Sequence, residues 1–156
     1  MIVGMNTTRL LCLLAVAAGF AAATNVHAAP AKACVPQFRD GWVRLPPTPS
    51  MPMAAGFGTF VNDCAQPAAV ASATSGGFDD VSLHESVQVD GVNRMRAVGK
   101  LALPAKGKVA LAPGGLHLML MQPKQALAEG ASVPVTFKLE DGRSIEATLQ
   151  VRKTAP

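Results

Sequence analysis

The stretch FDDVSLHESVQVDGVNRMR, residues 78–96, decides the fold class. Val81, Leu83, Val87 and Val89 alternate with Ser82, His84, Ser86 and Gln88, a period of two that belongs to a strand with one apolar face. Asp90-Gly91 then offers the positive φ that both central positions of a type I′ turn require, so residues 78–89 and 92–97 form a two-residue β-hairpin. A loop of that length pairs Val89 with Val92, Ser86 with Met95 and His84 with Ala97. His84 and Met95 then lie on one face as diagonal neighbours, roughly 7–8 Å apart at Cα.

The flanking segments have the same character. GWVRL (41–45), GFGTFVN (56–62) and AAVASATS (68–75) read as short strands, and the proline-rich PPTPSMP between the first two cannot lie in a central strand. LAL and KVAL, separated by PAKG, are further strand pieces, and PGG leads into LHLMLM (116–121). A second Asp-Gly pair, Asp141-Gly142, joins VPVTFKLE to RSIEATLQV and is expected to make another type I′ hairpin. KQALAEG (124–130) is the one helical hint, a turn or two ended by Gly130. The expected fold is an all-β sandwich or barrel in a single domain.

The amino terminus reads as an export signal. Arg9 closes a positive segment, LLCLLAVAAGFAAA is the apolar stretch, and VHA at 26–28 is a small-residue cleavage site, giving a signal peptide of residues 1–28. The apolar run is too short to span a bilayer. Neither Cys12 nor Cys34 follows a lipoprotein pattern, so no membrane anchor is expected. The remaining 128 residues suit one domain, with a lead-in at 29–38, a β domain at 39–152 and a short tail at 153–156. Thirteen basic and ten acidic residues leave a net charge of +3 spread along the chain. With no Tyr and one Trp, that distribution lacks the clustered basic and aromatic residues of a nucleic-acid interface. Cys34 and Cys64, the two cysteines beyond the signal, are expected to form a disulfide in an oxidising compartment, worth about 3 kcal/mol by loop entropy.

The chemistry lies in the residues that alternation places away from the core. In LHLMLM, Leu116, Leu118 and Leu120 make the apolar set, while His117, Met119 and Met121 project from the other face. His117 and Met119 share that face about 7 Å apart. Beyond the signal the chain has only two histidines, His84 and His117, and each has a methionine for company. Two imidazoles with two thioethers suit a soft monovalent ion. Thioether sulfur is neutral and polarizable, which favours Cu(I) over Zn²⁺, Mg²⁺ or Ca²⁺. The competing reading is structural, since a strand methionine is commonly flexible filler. Met121 is an additional candidate ligand, and Met51 and Met53 in the proline-rich loop are candidates for shielding or relaying the ion rather than ligating it. Glu85, Arg94 and Arg96 fall on the apolar parity, which fits a sheet edge, a shifted register or a solvated docking rim.

His84, ten residues, Met95, twenty-one residues, His117, one residue, Met119 is similar to the His-x10-Met-x21-His-x-Met signature of the periplasmic copper chaperones called PCuAC. The resemblance runs from GWVRLPP and PMAAGFGTFVN through LHESVQVDGVNRMR and APGGLHLMLMQPKQALAEG to VPVTFKLEDG. It implies a cupredoxin-like Greek-key β-sandwich or barrel and an exposed Cu(I) site of His84, Met95, His117 and Met119. It also implies copper delivery toward cytochrome c oxidase assembly, with cytochrome c oxidase subunit II and Sco-type thioredoxin-like proteins as acceptors. The expected protein is a monomeric carrier and not an enzyme, with Cu(I) affinity falling on acidification as imidazole protonates. The chain departs from the family pattern in its Cys34 and Cys64 pair and in ending VRKTAP, without a His/Met-rich tail. Two alternatives stand beside this: a metal-free immunoglobulin-like binding domain, and a cupredoxin-type electron carrier, which would need a Cys thiolate beside two His.

Overall fold

A computed structural model describes residues 33–156. The expected signal peptide (1–28), its cleavage after Ala28, and Cys12 lie outside the described residues. Ten strands follow in order: β1 (Gln37–Arg44), β2 (Met53–Asn62), β3 (Ala68–Thr74), β4 (Phe78–Val89), β5 (Val92–Ala97), β6 (Leu101–Leu103), β7 (Gly107–Leu111), β8 (Leu116–Pro123), β9 (Ser132–Leu139) and β10 (Ser144–Arg152). Hydrogen bonding runs β4-β8-β2-β1-β10-β9-β3, and pairing of β3 with β4 at Ala73 and Val81 closes these seven into a barrel. β5, β7 and β6 attach to β4, β2 and β3. β1 and β10 run parallel, and the other pairings are antiparallel. This is the expected all-β, cupredoxin-like single domain.

Alternation fills the barrel. Leu83, Leu118, Leu120, Phe60, Val43, Phe137 and Leu149 are among its buried side chains, and Phe38, Phe60 and Phe137 pack with ring centroids 4.7–4.9 Å apart. Gly58 lets β2 pass close to the Phe38 ring: at its φ of 151° a Cβ would lie 2.4 Å from Cζ of that ring. Inside the barrel end, Asn62 donates to the carbonyls of Gln66, Leu103 and Pro104 and accepts from the Cys64 amide. Among the described residues no buried side-chain nitrogen or oxygen lacks a partner.

The β4–β5 hairpin has the expected register, Val89 with Val92, Ser86 with Met95 and His84 with Ala97, and both Asp90 (φ 51°) and Gly91 (φ 75°) are left-handed. Its outer half leaves the barrel. Val89 and Val92 are therefore exposed instead of joining Val81 and Leu83 in the core. β5 is an exposed edge strand, which accounts for the charges on apolar parity: Arg96 lies across from Glu85 and donates to its carboxylate at 2.6 and 3.0 Å.

Two local expectations need correction. At the second Asp-Gly only Gly142 has positive φ (86°), and Leu139 pairs with Arg143 through the Leu139 N–H to Arg143 C=O bond. The loop thus has three residues with glycine at the left-handed position; Asp141 is outside that region and its carboxylate accepts from the Arg143 amide and guanidinium. Residues 124–130 form no helix. One turn cannot repay the cost of nucleation, and the segment is instead tied down at its ends, Lys124 N–H to Gly77 C=O and Gly130 N–H to Val151 C=O.

Cys34 and Cys64 form the expected disulfide. It pins the lead-in chain beyond the Asn62 end of β2, where Arg143 also donates to the Cys34 carbonyl.

Candidate metal centre

The pairing of β4 with β8, which the sequence alone did not indicate, sets His84 directly across from His117. Their rings are tilted by 33° with centroids 6.1 Å apart. In the same register Met119 lies across from Ser82, diagonal to His84, while on the other side Met95 lies across from Ser86. Residues directly paired across strands share a face, so the two imidazoles and the thioethers of Met95 and Met119 lie on the outer face of β5-β4-β8. The core leucines Leu83 and Leu118 pair with each other on the inner face.

Exposure is graded across the set. His117 is buried at 6%, His84 and Met119 are half-buried, and Met95 is 60% exposed. Part of the cover comes from a feature that alternation had not flagged. Trp42 and Phe57, paired across β1 and β2, are buried on the outer face with centroids 4.7 Å apart, and the Arg44 guanidinium lies over both rings at 5.6 and 5.3 Å. The outer face thus carries a buried aromatic pair on β1 and β2 and ends at the exposed edge strand β5.

Hydrogen bonds fix which ring nitrogens are free. The Gly115 carbonyl can only accept, so the 2.9 Å contact at His117 Nδ1 is an N–H donation that leaves Nε2 with its lone pair. Ser82 Oγ donates to Asp80 Oδ2 at 3.0 Å, because a carboxylate only accepts, and so receives the proton of His84 Nε2 at 3.2 Å. His84 then keeps its lone pair on Nδ1. Sequence reasoning passed over Asp80, Ser82 and Gly115. Their signal was present for Ser82, which shares the parity of His84, but the carbonyl of Gly115 had none.

Two imidazoles held by one ion through bonds of about 2 Å have centroids roughly 5–6.5 Å apart, a range that includes the observed spacing. Among the described residues no three His, Cys, Asp or Glu side chains gather as a metal would require. The sulfur-bearing side chains nearest His84 and His117 along these strands are Met119, diagonal to His84, and Met95, across from Ser86. Met121 sits farther along β8, across from Asp80 on one side and Met53 on the other. Cys34 and Cys64 are bonded to each other, so neither supplies a thiolate here.

The family model described as "Putative lipoprotein LpqE-like" matches residues 37–151, the whole barrel. This chain belongs to that family, which is of the PCuAC type. A curated relative from Leifsonia xyli subsp. xyli, "Putative lipoprotein Lxx21020", is 35% identical over 157 residues, covering 94% of this chain and 92% of its own. Among solved structures, Cu(I)-bound DR1885 from Deinococcus radiodurans is similar at 29% identity and TM-score 0.60, with 84% of each chain covered. The copper-bound PCuAC domain of PmoF2 matches at TM-score 0.61 over 75% of this chain and 92% of that domain. At 20% identity, that second likeness concerns the fold of LpqE-like proteins alone.

Proposed function

We propose that this LpqE-like protein is an exported, periplasmic copper chaperone that holds one Cu(I) with His84, Met95, His117 and Met119 and passes it on by ligand exchange. The observation that carries this is the direct pairing of His84 with His117 at a ring spacing that suits one shared ion, with thioethers as the neighbouring donors. Cu(I) matches that set: it is soft, and neutral sulfur ligates it without losing a proton. Cu(I)-bound DR1885, at 29% identity, supports the same cargo. Electron transfer of the blue-copper kind has no support, since its thiolate is missing from the site. The protein is a carrier and not an enzyme.

Graded exposure gives the exchange a direction. An acceptor reaches Met95 first, replaces that thioether, and then draws the ion from Met119 and the two imidazoles, so no step releases free copper. Following the family resemblance, the acceptors are Sco-type proteins and cytochrome c oxidase subunit II during oxidase assembly. The protein acts as a monomer. Among the described residues no helix is long and apolar enough to cross a membrane.

X-ray absorption on the protein loaded with one equivalent of Cu(I) tests the ligand set: two sulfur and two nitrogen scatterers are expected. A shell of nitrogen and oxygen alone would overturn it. Simultaneous replacement of His84 and Met119 should abolish tight binding, and unchanged stoichiometry would favour a metal-free binding domain instead.

A further inference from the structure

Three methionines border a cavity that the four-ligand site does not use. Met51, Met53 and Met119, with Leu45, Pro46 and Pro47, line a space of about 190 Å³ between the proline-rich loop and the outer sheet face. Met53 begins β2 across from Met121, and Ala55, across from Met119, contributes only a methyl group to the floor. Met51 and Met53 are 38% and 37% exposed, whereas Met119 is half-buried. The cavity therefore connects an exposed thioether pair to a sulfur assigned to the His84 and His117 centre.

The chemistry of the lining is selective. Its only side chain bearing a nitrogen or oxygen is Arg44, whose guanidinium is stacked on Trp42 and Phe57. No carboxylate, hydroxyl or imidazole lines the space, so a hard or divalent cation would find neither charge compensation nor a preferred donor. A soft monovalent ion loses little by exchanging water for neutral sulfur, and it is repelled by Arg44 half as strongly as a divalent ion would be. Three unbranched side chains with rotatable stems are adaptable donors for one ion. The proline-rich loop holds Met51 above the sheet, with the Met51 amide bonded to the Thr48 carbonyl at 3.1 Å.

We infer that Met51, Met53 and Met119 form a second, thioether-only site for a soft monovalent cation such as Cu(I), a weaker station adjoining the histidine centre and sharing Met119 with it. This rests on the proposed function only for the direction of transfer, not for the existence of the site. With Met119 common to both, an ion at Met51 and Met53 can move inward by exchanging sulfurs for imidazole nitrogens one at a time. No redox change accompanies the movement.

The test is a titration of the disulfide-bonded protein, labelled at its methionine methyls, with Ag(I) as a redox-inert stand-in and with Cu(I) under reducing, oxygen-free conditions that spare the disulfide. The first equivalent should move the Met95 and Met119 methyl signals. The second should move Met51 and Met53. In the Met51→Leu/Met53→Leu variant the second event should disappear while the first is retained, and in the His84→Ala/His117→Ala variant the Met51 and Met53 shifts should appear with the first equivalent. Met51 and Met53 signals that stay still through two equivalents in both the natural protein and the histidine variant would overturn the second site. Failure of the histidine centre is recognised separately, by a Met95 signal that responds identically with and without His84 and His117.

Discussion

Replacing Ser82 with Ala probes the arrangement at the centre without touching a proposed ligand. Ser82 Oγ links Asp80, at 3.0 Å, to His84 Nε2, at 3.2 Å, and in this chain of bonds His84 carries its proton on Nε2 and offers Nδ1 to an ion. His117 is held in the opposite sense by the Gly115 carbonyl. Partners that orient a ligating histidine are typically worth 10–100-fold in metal affinity. The Ser82 bond is long and only partly buried, so the effect belongs at the low end, about 10-fold or roughly 1.4 kcal/mol. Ser82→Ala should therefore weaken Cu(I) binding about 10-fold in a competition titration, and Ser82→Thr, which keeps the hydroxyl, should restore most of it. Imidazole nitrogen shifts in the metal-free protein should move for His84 and stay fixed for His117. Equal or tighter binding in Ser82→Ala would refute the assignment, because it would mean that Ser82 competes with the ion for Nε2.

Three further outcomes follow from parts of the barrel away from the centre. Asn62→Ala removes an amide that satisfies three carbonyls and a backbone N–H, which should cost about 3 kcal/mol and lower Tm by roughly 10 °C while leaving Cu(I) stoichiometry unchanged. Replacing Cys34 and Cys64 by Ser should cost about 3–4 kcal/mol by loop entropy, read by denaturant titration, and should not alter the metal ligands. Asp141 has its pKa lowered by its bonds to Arg143, so its contribution is fully present above the ordinary carboxylate range and is lost as pH falls through the folded value. Asp141→Asn should accordingly be less stable than the natural protein at pH 7, and the two melting curves should converge in acid; a gap that widened in acid would contradict the sign.

What could be seen in the sequence was whatever depended on neighbours along the chain. Alternation in 78–89 and 116–121 separated the core leucines from the histidines and methionines, and Asp90-Gly91 fixed the β4–β5 register residue by residue. The pairing of β4 with β8 depends on barrel closure, a long-range property with no local signature, so His84 opposite His117 could be anticipated only through the family resemblance. The Gly115 carbonyl and the Trp42 and Phe57 pair were hidden for the same reason: a backbone acceptor has no residue code, and an aromatic pair on the outer face looks like core until the sheet is assembled. Asp141-Gly142 misled in the other direction. There the dipeptide was right for a turn, but only Gly142 takes the left-handed conformation, in a three-residue loop where the Asp141 carboxylate accepts from Arg143.

One register serves both faces of the β4–β8 ladder, and this couples the site to the fold. Leu83 pairs with Leu118 toward the core, and the next pair, His84 with His117, points outward. A slip of one residue in either strand would drive its imidazole into a hydrocarbon interior and expose its leucines, at a cost of several kcal/mol from apolar area alone. The barrel core thus sets the two histidines opposite each other, with ring centroids 6.1 Å apart. A carrier benefits from that division. When the site forms before the ion arrives, binding and release do not have to fold or unfold the chain, and affinity can be set by the exposed sulfurs instead of by the stability of the domain.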